Sequence, residues 1–306
     1  MNLVPATTDI WFVNLGLKIQ DMKRSFSVFG FDIYFYGVII ALSVLLGLFV
    51  ATRLAKKTGQ NPEHYMELLV YALIFAIVGA RLYYVIFSWE NYKDDLLQIF
   101  NLRAGGLAIY GGVIGGVLTA WIYSKKKKLN PLLVLDTGCC GLIAGQCSGR
   151  WSNFVNMEAF GDYTNGPLAM ALNMDKLNLR NVTETHLAHS FVSDGVSYIQ
   201  VHPTFLYESL WSFMTLCILL FFSTKMKKKF QGQIFLMYLA LYGLGRFWIE
   251  GLRTDQLQIG NTGLAVSQLL SGVLVIVSLT LIAVGVRKAG RQSTATASLP
   301  QEKEEA

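Results

Sequence analysis

The feature that most constrains the fold of this chain is a series of seven apolar stretches, each about 20 residues long. A helix of that length spans the hydrocarbon layer of a bilayer and satisfies its own backbone hydrogen bonds there. The composition agrees, because 53% of the residues are hydrophobic, only 15% are charged and the mean hydropathy is +0.42. We therefore predict an all-α integral membrane protein with about seven transmembrane helices, at residues 33–53, 66–87, 107–123, 131–151, 204–222, 233–250 and 266–286.

Basic residues follow every odd-numbered stretch, whereas the alternate loops carry fewer of them near the membrane. Since cytoplasmic loops are enriched in Lys and Arg, this pattern predicts an amino terminus outside and a carboxyl terminus in the cytoplasm. A nucleic-acid-binding surface would not alternate in this way, so the net charge of +6 does not indicate a nucleic-acid partner. The clusters are Arg53, Lys56 and Lys57, then Lys125 to Lys128, then Lys225 with Lys227 to Lys229, and finally Arg287, Lys288 and Arg291.

The predicted domain organisation has three parts. Residues 1–32 form an amino-terminal extracytoplasmic or interfacial segment, in which the weakly amphipathic residues 9–20 are expected at the membrane surface. Residues 33–289 form the seven-span membrane domain, whose long polar loop 162–202 is expected to be a small extracytoplasmic head. Residues 290–306 are Ser/Thr/Ala-rich and then acidic, which predicts a disordered cytoplasmic tail.

The sequence contains no motif for a metal or a cofactor. It has no HExxH, no Cys/His cluster, no P-loop and no dinucleotide fingerprint, so we predict neither a metal nor a cofactor. Its four cysteines all lie in apolar stretches, which predicts buried thiols and no disulfide framework.

Glycines recur at four-residue spacing in the third and fourth apolar stretches, which allows close helix packing. We expect these two helices to approach each other and to bring Tyr110 near Arg150.

Charged residues lie inside or at the ends of several spans, where they are costly unless they face a partner, a cavity or a charged ligand. Arg246 and Glu250 are four residues apart and share a helix face, so an internal ion pair is one explanation. Two arginines at one membrane level, with fewer obvious carboxylate partners, favour a phosphate ligand instead. Among the charged residues within the spans are Arg81, Asp136, Arg150, Glu208, Arg246 and Glu250.

Three function classes remain open on these features. An enzyme acting on an anionic lipid and a transporter or flippase for an anionic lipid or solute would both use intramembrane arginines. A purely structural or receptor-like protein would pair the buried charges only with one another.

Residues 149–161 resemble the signature of bacterial prolipoprotein diacylglyceryl transferases, G-R-x-x-N-F-x-N-x-E-x-x-G, since they read GRWSNFVNMEAFG. Residues 103–116, 202–209 and 242–250 resemble further blocks of that family in the same order, as does the Tyr36-Gly37 pair. The resemblance runs from about Tyr36 to residue 286.

The resemblance implies a reaction and its partners. The diacylglyceryl group of phosphatidylglycerol passes to the lipobox cysteine thiol of a prolipoprotein signal peptide, giving a thioether and glycerol phosphate. The enzyme is then a multi-pass protein of the bacterial cytoplasmic (inner) membrane, in contact with membrane lipids. The implied catalytic residues are Tyr110, Arg246 and Glu250, and the implied substrate-binding residues are Arg150, Asn153, Asn156, Glu158, Gly161, Tyr36, Tyr242 and His202.

Two positions depart from the family pattern. Tyr110 stands where some members have a histidine that is proposed as the base for the thiol. A phenol, with an ordinary pKa near 10, is a weak base at neutral pH, so Tyr110 either is perturbed or only positions the substrate. Glu158, Glu250 and His202 are the other candidate bases. Ser152 replaces a residue that is usually glycine, which we expect to change packing and not chemistry.

Overall fold

The computed structural model describes residues 8–102, 105–226, 228–256 and 263–297, with side chains up to Arg291. The described part is mostly helical. Five of its helices are long and apolar enough to cross a membrane, so the chain is a membrane protein. These are α1 (Phe35–Lys57), α2 (Glu63–Phe87), α4 (Pro131–Asn156), α6 (Thr204–Thr224) and α8 (Val266–Ala297), whereas α3 (Ile109–Lys126), α5 (Glu184–Ala188) and α7 (Gln233–Glu250) do not meet that test.

A five-stranded antiparallel sheet corrects the all-α prediction. Its order is β2 (Leu17–Gln20), β1 (Thr8–Phe12), β5 (Met170–Asn173), β7 (Val196–Val201) and β6 (Phe191–Ser193). The 162–202 loop therefore forms a small folded head, and β1 is one of its inner strands. Pairing on both edges buries the start of β1 and leaves Ile10 fully inaccessible, so part of the segment 9–20 belongs to the sheet, and its position at the membrane surface stays a prediction.

A separate hairpin joins this head to the first membrane helix. β3 (Ser25–Val28) pairs with β4 (Phe31–Tyr34) around the two-residue turn Phe29-Gly30, where both φ angles are positive. β4 runs directly into α1.

The described residues group into two compact units. The first is drawn from Met1–Gly47, Leu142–Phe230 and Leu236–Ala306, and the second from Leu48–Gly141 and Gln231–Phe235. In the first unit, Gly145 packs against Ser43 of α1. In the second, α3 packs on α2, and a Cβ at Gly111 or Gly115 would overlap the carbonyl of Gly79 or Phe75. The glycines thus allow α2–α3 and α1–α4 contacts, and the expected approach of the third span to the fourth stays a prediction.

Two charged residues of the second unit have structural partners. Arg81 in α2 donates to the carbonyls of Gln98, Ile99, Asn101, Gly105 and Gly106, at distances of 2.6 to 3.2 Å. It therefore fastens the loop before α3. Asp136 in α4 accepts from the backbone N–H groups of Gly232 and Phe235, at 3.0 and 2.9 Å, and so caps the start of α7.

The structure can also be compared with predictions about the carboxyl-terminal tail and the four cysteines. Helix α8 continues to Ala297, into the segment expected to be disordered, and the rest of that tail lies outside the described residues. Arg103 of the family block and Lys227 of the basic cluster also lie outside them. Cys139 and Cys140 are buried as predicted and Cys147 is half-buried, but Cys217 is exposed.

Candidate active site

The signature segment begins where helix α4 ends in a tight turn. The N–H of Glu158 donates to the carbonyl of Asn153 at 3.0 Å, and that of Met157 donates to Phe154 at 3.1 Å. This pattern is a Schellman cap, and Met157 takes the left-handed position with φ of +52°. Its buried side chain joins the head core, which offsets the cost of a non-glycine residue there. The turn brings the Glu158 carboxylate within 3.0 Å of the Asn153 amide nitrogen.

Gly161 and Asp162 form a junction between two neighbouring backbone segments. Gly161 donates its N–H to the carbonyl of His202 at 3.0 Å, and His202 donates back to Asp162 at 3.0 Å. On the other side, Asp162 donates to the carbonyl of Leu252 at 2.8 Å. A Cβ at Gly161 would lie 2.6 Å from the Leu252 carbonyl oxygen and 2.8 Å from the His202 Cβ, so only glycine fits.

Three guanidinium groups converge on the carboxylate of Glu208 in α6. Arg150 from α4 places Nη2 2.5 Å from Oε2, and Arg246 from α7 places Nη1 3.1 Å from Oε1. The third is Arg253, with Nη1 3.3 Å from Oε1. Only 8% of the Glu208 side chain is exposed, so this carboxylate is held in a low-dielectric environment by three cations.

A second carboxylate fixes the orientation of Arg246. Glu250, one turn later in α7, contacts Arg246 Nη2 through Oε2 and accepts from the Ser267 hydroxyl through Oε1 at 2.6 Å. The two ends of the Arg246 fork therefore bond two different carboxylates. The prediction that Arg246 and Glu250 share a helix face is confirmed.

Arg253 was not among the residues predicted for the site. It bonds both oxygens of Asp255, at 2.9 and 2.7 Å, in addition to Glu208. Burial opposes its charge, but the hydrogen bond and charge of Asp255 outweigh burial and raise the pKa of Arg253. The one sequence feature that points to Arg253 is its position three residues after Glu250, just beyond the predicted end of the span. Glu208 is among the charged residues predicted within the spans but not among the predicted site residues.

This cluster corrects the expected shortage of carboxylates, since each arginine has at least one carboxylate partner. The guanidinium groups nevertheless differ in how many of their nitrogens already contact a carboxylate. In the described part of the chain, Arg150 contacts Glu208 through one nitrogen only, and 24% of its side chain is exposed. Arg246 and Arg253 use both ends of their forks. Arg150 is therefore the guanidinium best able to take a further anion.

His202 lies beside the cluster at the entrance to α6. Its Cβ packs on Gly161, and Nδ1 lies 3.3 Å from the hydroxyl of Tyr207. Burial lowers the pKa of His202, although the charge of Asp162 acts in the opposite direction. The imidazole is therefore neutral at physiological pH.

In the described part of the first unit, no hydrogen bond or ion pair links Tyr36, Asn156 or Tyr242 to this network. Tyr36 is exposed at the start of α1, and Asn156 is half-buried at the end of α4. Tyr242 stacks on Tyr238 with ring centroids 5.6 Å apart. Tyr110 belongs to the second unit, where its ring centroid is 6.4 Å from that of Tyr83. Its proximity to Arg150 stays a prediction.

The comparisons with known proteins agree on one family. The model of the prolipoprotein diacylglyceryl transferase family matches residues 23–284. The chain belongs to that family. A phosphatidylglycerol–prolipoprotein diacylglyceryl transferase from Finegoldia magna is 46% identical over 259 residues, which cover 85% of this chain and 94% of the relative. Proteins of the same name from Clostridioides difficile and Bacillus mycoides are each 40% identical, over 82% and 85% of this chain and 91% and 90% of their own lengths.

Every predicted site residue falls within the matched region, as do Glu208 and Arg253. The strands β1 and β2 precede it. Across the residues that the structure describes, no group of three His, Cys, Asp or Glu side chains is placed to hold a metal ion.

Proposed function

We propose that this chain transfers the diacylglyceryl group of phosphatidylglycerol to the lipobox cysteine thiol of a prolipoprotein. The thiol loses its proton, its sulfur forms a bond to the terminal glycerol carbon of the diacylglyceryl group, and the bond from that carbon to the phosphate oxygen breaks. The products are a thioether and glycerol phosphate. The names of the relatives support this reaction, and none of them supports a transporter.

The observation that carries the proposal is the gathering of Arg150, Arg246 and Arg253 at one carboxylate. Guanidinium groups stay charged in a low-dielectric site and match phosphate oxygens. They would stabilise the negative charge that develops on the leaving phosphate, where preorganised cations lower the barrier most. Arg150 has donors left for the phosphate, and Glu208 and Glu250 keep Arg246 oriented.

The residues around the cluster have supporting roles in this proposal. Asn153 and Glu158, held together by the turn after α4, shape the headgroup site with Asn156 and Gly161. Tyr36, Tyr242 and His202 complete the substrate-binding set by resemblance. Tyr110 acts on the thiol, either by accepting its proton or by orienting it. The chain's own cysteines have no role, because the nucleophile belongs to the substrate.

Pairing in the head supports seven membrane crossings. β1 bonds β5, so residues on either side of α1 to α4 lie on the same side of the membrane. The number of crossings between them must be even, which requires α3 to cross together with α1, α2 and α4. Gly161 likewise bridges to Arg253, so α6 and α7 must cross as a pair. With α8, we infer seven crossings in total.

The basic clusters support the orientation of these spans. They lie at the carboxyl-terminal ends of α1 and α3, after α6 and in the last third of α8, so we infer that those ends lie in the cytoplasm. The head, the Glu208 cluster and the amino terminus then face outward from the bacterial cytoplasmic membrane. Phosphatidylglycerol and an emerging signal peptide are both available there, and both reach the site from the lipid.

The decisive experiment uses the purified protein in detergent with phosphatidylglycerol and a lipobox peptide. Mass spectrometry follows the peptide, and an enzymatic assay follows glycerol phosphate. We expect a gain of one diacylglyceryl group with an equal amount of glycerol phosphate, and no gain when the peptide cysteine is replaced by serine. An unmodified peptide with a folded protein would contradict the proposal, and movement of intact lipid across vesicles would favour a transporter.

A further inference from the structure

His186 is a fully buried histidine of the head that no part of the reaction above uses. Its Nδ1 accepts the backbone N–H of Thr183 at 3.1 Å, so this nitrogen carries no proton. Its Nε2 lies 3.1 Å from the carbonyl oxygen of Gly161, which can only accept. The two contacts together define the neutral tautomer with the proton on Nε2, and His186 donates to Gly161.

This hydrogen bond ties helix α5 of the head to the end of the signature segment. Phe160 packs edge-on against the imidazole, with ring centroids 5.7 Å apart, and the Thr183 hydroxyl donates to the Asp162 carboxylate at 3.2 Å. The junction of Gly161 and Asp162 is thus held from the head side as well as by His202 and Leu252.

Both neighbours of the junction lead directly to the Glu208 cluster. The chain from His202 enters α6 and reaches Glu208 less than two turns later. On the other side, Arg253 follows Leu252 immediately and bonds Glu208 itself. A shift of the Gly161 backbone would therefore move both an arginine and the carboxylate that it shares with Arg150 and Arg246.

We propose that His186 is a positioning residue for the transfer reaction and acts through the Gly161 carbonyl on the geometry of the Glu208 cluster. The inference rests on the proposed function. It assigns the head a part in catalysis, because the hydrogen bond of one head residue fixes the backbone on which the cluster depends.

Two substitutions separate this role from a purely structural one. The amide nitrogen of a glutamine can stand in for Nε2, so His186→Gln keeps the bond to Gly161 and loses the one from Thr183. The amide oxygen of an asparagine can stand in for Nδ1, so His186→Asn keeps the bond from Thr183 and loses the one to Gly161. Steady-state kinetics with phosphatidylglycerol and a lipobox peptide, on protein that elutes as a folded species, compare the two.

We expect His186→Asn to lower kcat about tenfold, the effect of one lost hydrogen bond, with little change in the KM of the peptide. We expect His186→Gln to stay within about threefold of the wild type by the same reasoning, since it keeps that bond. Wild-type kinetics in His186→Asn, or a tenfold loss in folded His186→Gln, would each overturn the proposal. Either variant decides alone if the other does not fold.

The exposed Leu187 supplies a matched control. Leu187→Gly weakens α5 next to the link without touching it, and we expect unchanged kcat. A tenfold loss in this folded variant would show that general order in the head is what matters, against a specific role for His186. Wild-type protein is assayed in parallel. An inactive wild type would contradict the transferase function, whereas an active wild type with unexpected His186 variants would contradict only the positioning role of His186.

Discussion

The carboxylate of Glu208 lies 3.1 Å from the guanidinium of Arg246, although the two residues come from different helices, α6 and α7. The same carboxylate contacts Arg150 and Arg253, so its charge balances a cluster that would otherwise be strongly cationic. The geometry makes Glu208 the organising residue of the site.

Glu208→Gln removes that charge and leaves three arginines facing one another. We expect a loss of stability on the order of 3 kcal/mol, the usual cost of breaking a buried ion pair, together with a large loss of transfer. Thermal unfolding in detergent measures the loss of stability. Glu90→Gln is the control, because Glu90 pairs with Lys93 on an exposed surface and should have little effect. Equal stability of the two variants would contradict the organising role.

Arg246→Lys tests whether the site needs the two fixed nitrogens of a guanidinium group at this position. A lysine keeps the charge but cannot hold Glu208 and Glu250 from two fixed nitrogens at once. We expect kcat to fall by about 10- to 100-fold, which corresponds to one lost charge-assisted hydrogen bond. Arg180→Lys, at an exposed position of the head, should leave transfer unchanged. Full activity in Arg246→Lys would show that a point charge is sufficient.

Gly161→Ala tests the junction beside the cluster. The added Cβ meets backbone and cannot be relieved by a flexible side chain, so we expect the junction to open and kcat to fall at least about tenfold. Gly138→Ala in α4 is the control, because a Cβ there meets nothing within 4 Å and alanine is the better helix former. The assay is steady-state transfer by protein of confirmed size. Wild-type kinetics for Gly161→Ala would refute the close fit.

The sequence predicts the long apolar helices well because apolar length is a local property. It predicts α7 to end at Glu250, where the structure ends it. It does not predict the sheet, because β1 is defined by its pairing with β5, about 160 residues away. Residues 8–12 also precede the region matched by the family, so resemblance gave no help there.

The site was predicted in part. The motif pattern identified Arg150, Arg246 and Glu250, which the structure brings into one network. Arg253 was missed because it follows the last helical residue and resembles an ordinary loop cation. Its role depends on the Gly161 junction, a long-range contact with no sequence signal of its own.

Tyr110→Phe tests the residue that replaces the family histidine. We expect kcat to fall at least about tenfold, because the ring remains and only the hydroxyl that serves the thiol is lost. Tyr110→His should restore transfer with a pH profile set by an imidazole, whose ordinary pKa is near 6.5. Tyr83→Phe is the control, because it removes a hydroxyl from the ring next to Tyr110 and leaves Tyr110 itself in place. An unchanged rate in Tyr110→Phe would move the search for the base to Glu158 or His202.

Acidification should destabilise the head. Burial lowers the pKa of His186, although the Gly161 carbonyl and Asp162 act in the opposite direction. The unfolded chain therefore binds a proton near pH 6.5 that the folded head does not yet bind. We expect full stability above about pH 7 and a decline below about pH 6.5. Thermal unfolding, measured at a series of pH values from above about pH 7 to below about pH 6.5, tests this decline in stability.

The matched variants for this pH dependence are His186→Gln and His189→Gln. The first should flatten the decline in part, since burial also lowers the pKa of His202 and leaves its contribution in place. The second changes an exposed histidine and should leave the slope as it is. A wild-type slope in His186→Gln would show that this imidazole is not buried in its neutral form.

The position of β1 inside the sheet has a consequence for biogenesis. β1 pairs on one side with β2, which follows it closely, and on the other side with β5, which is translated only after helices α1 to α4, so this second side stays unpaired in the meantime. Its apolar residues, among them Ile10 and Phe12, are exposed to chaperones and proteases during that interval. The sheet of the head can close only after β5, β7 and β6 have been translated, so residues 8–12 reach their final place late in synthesis.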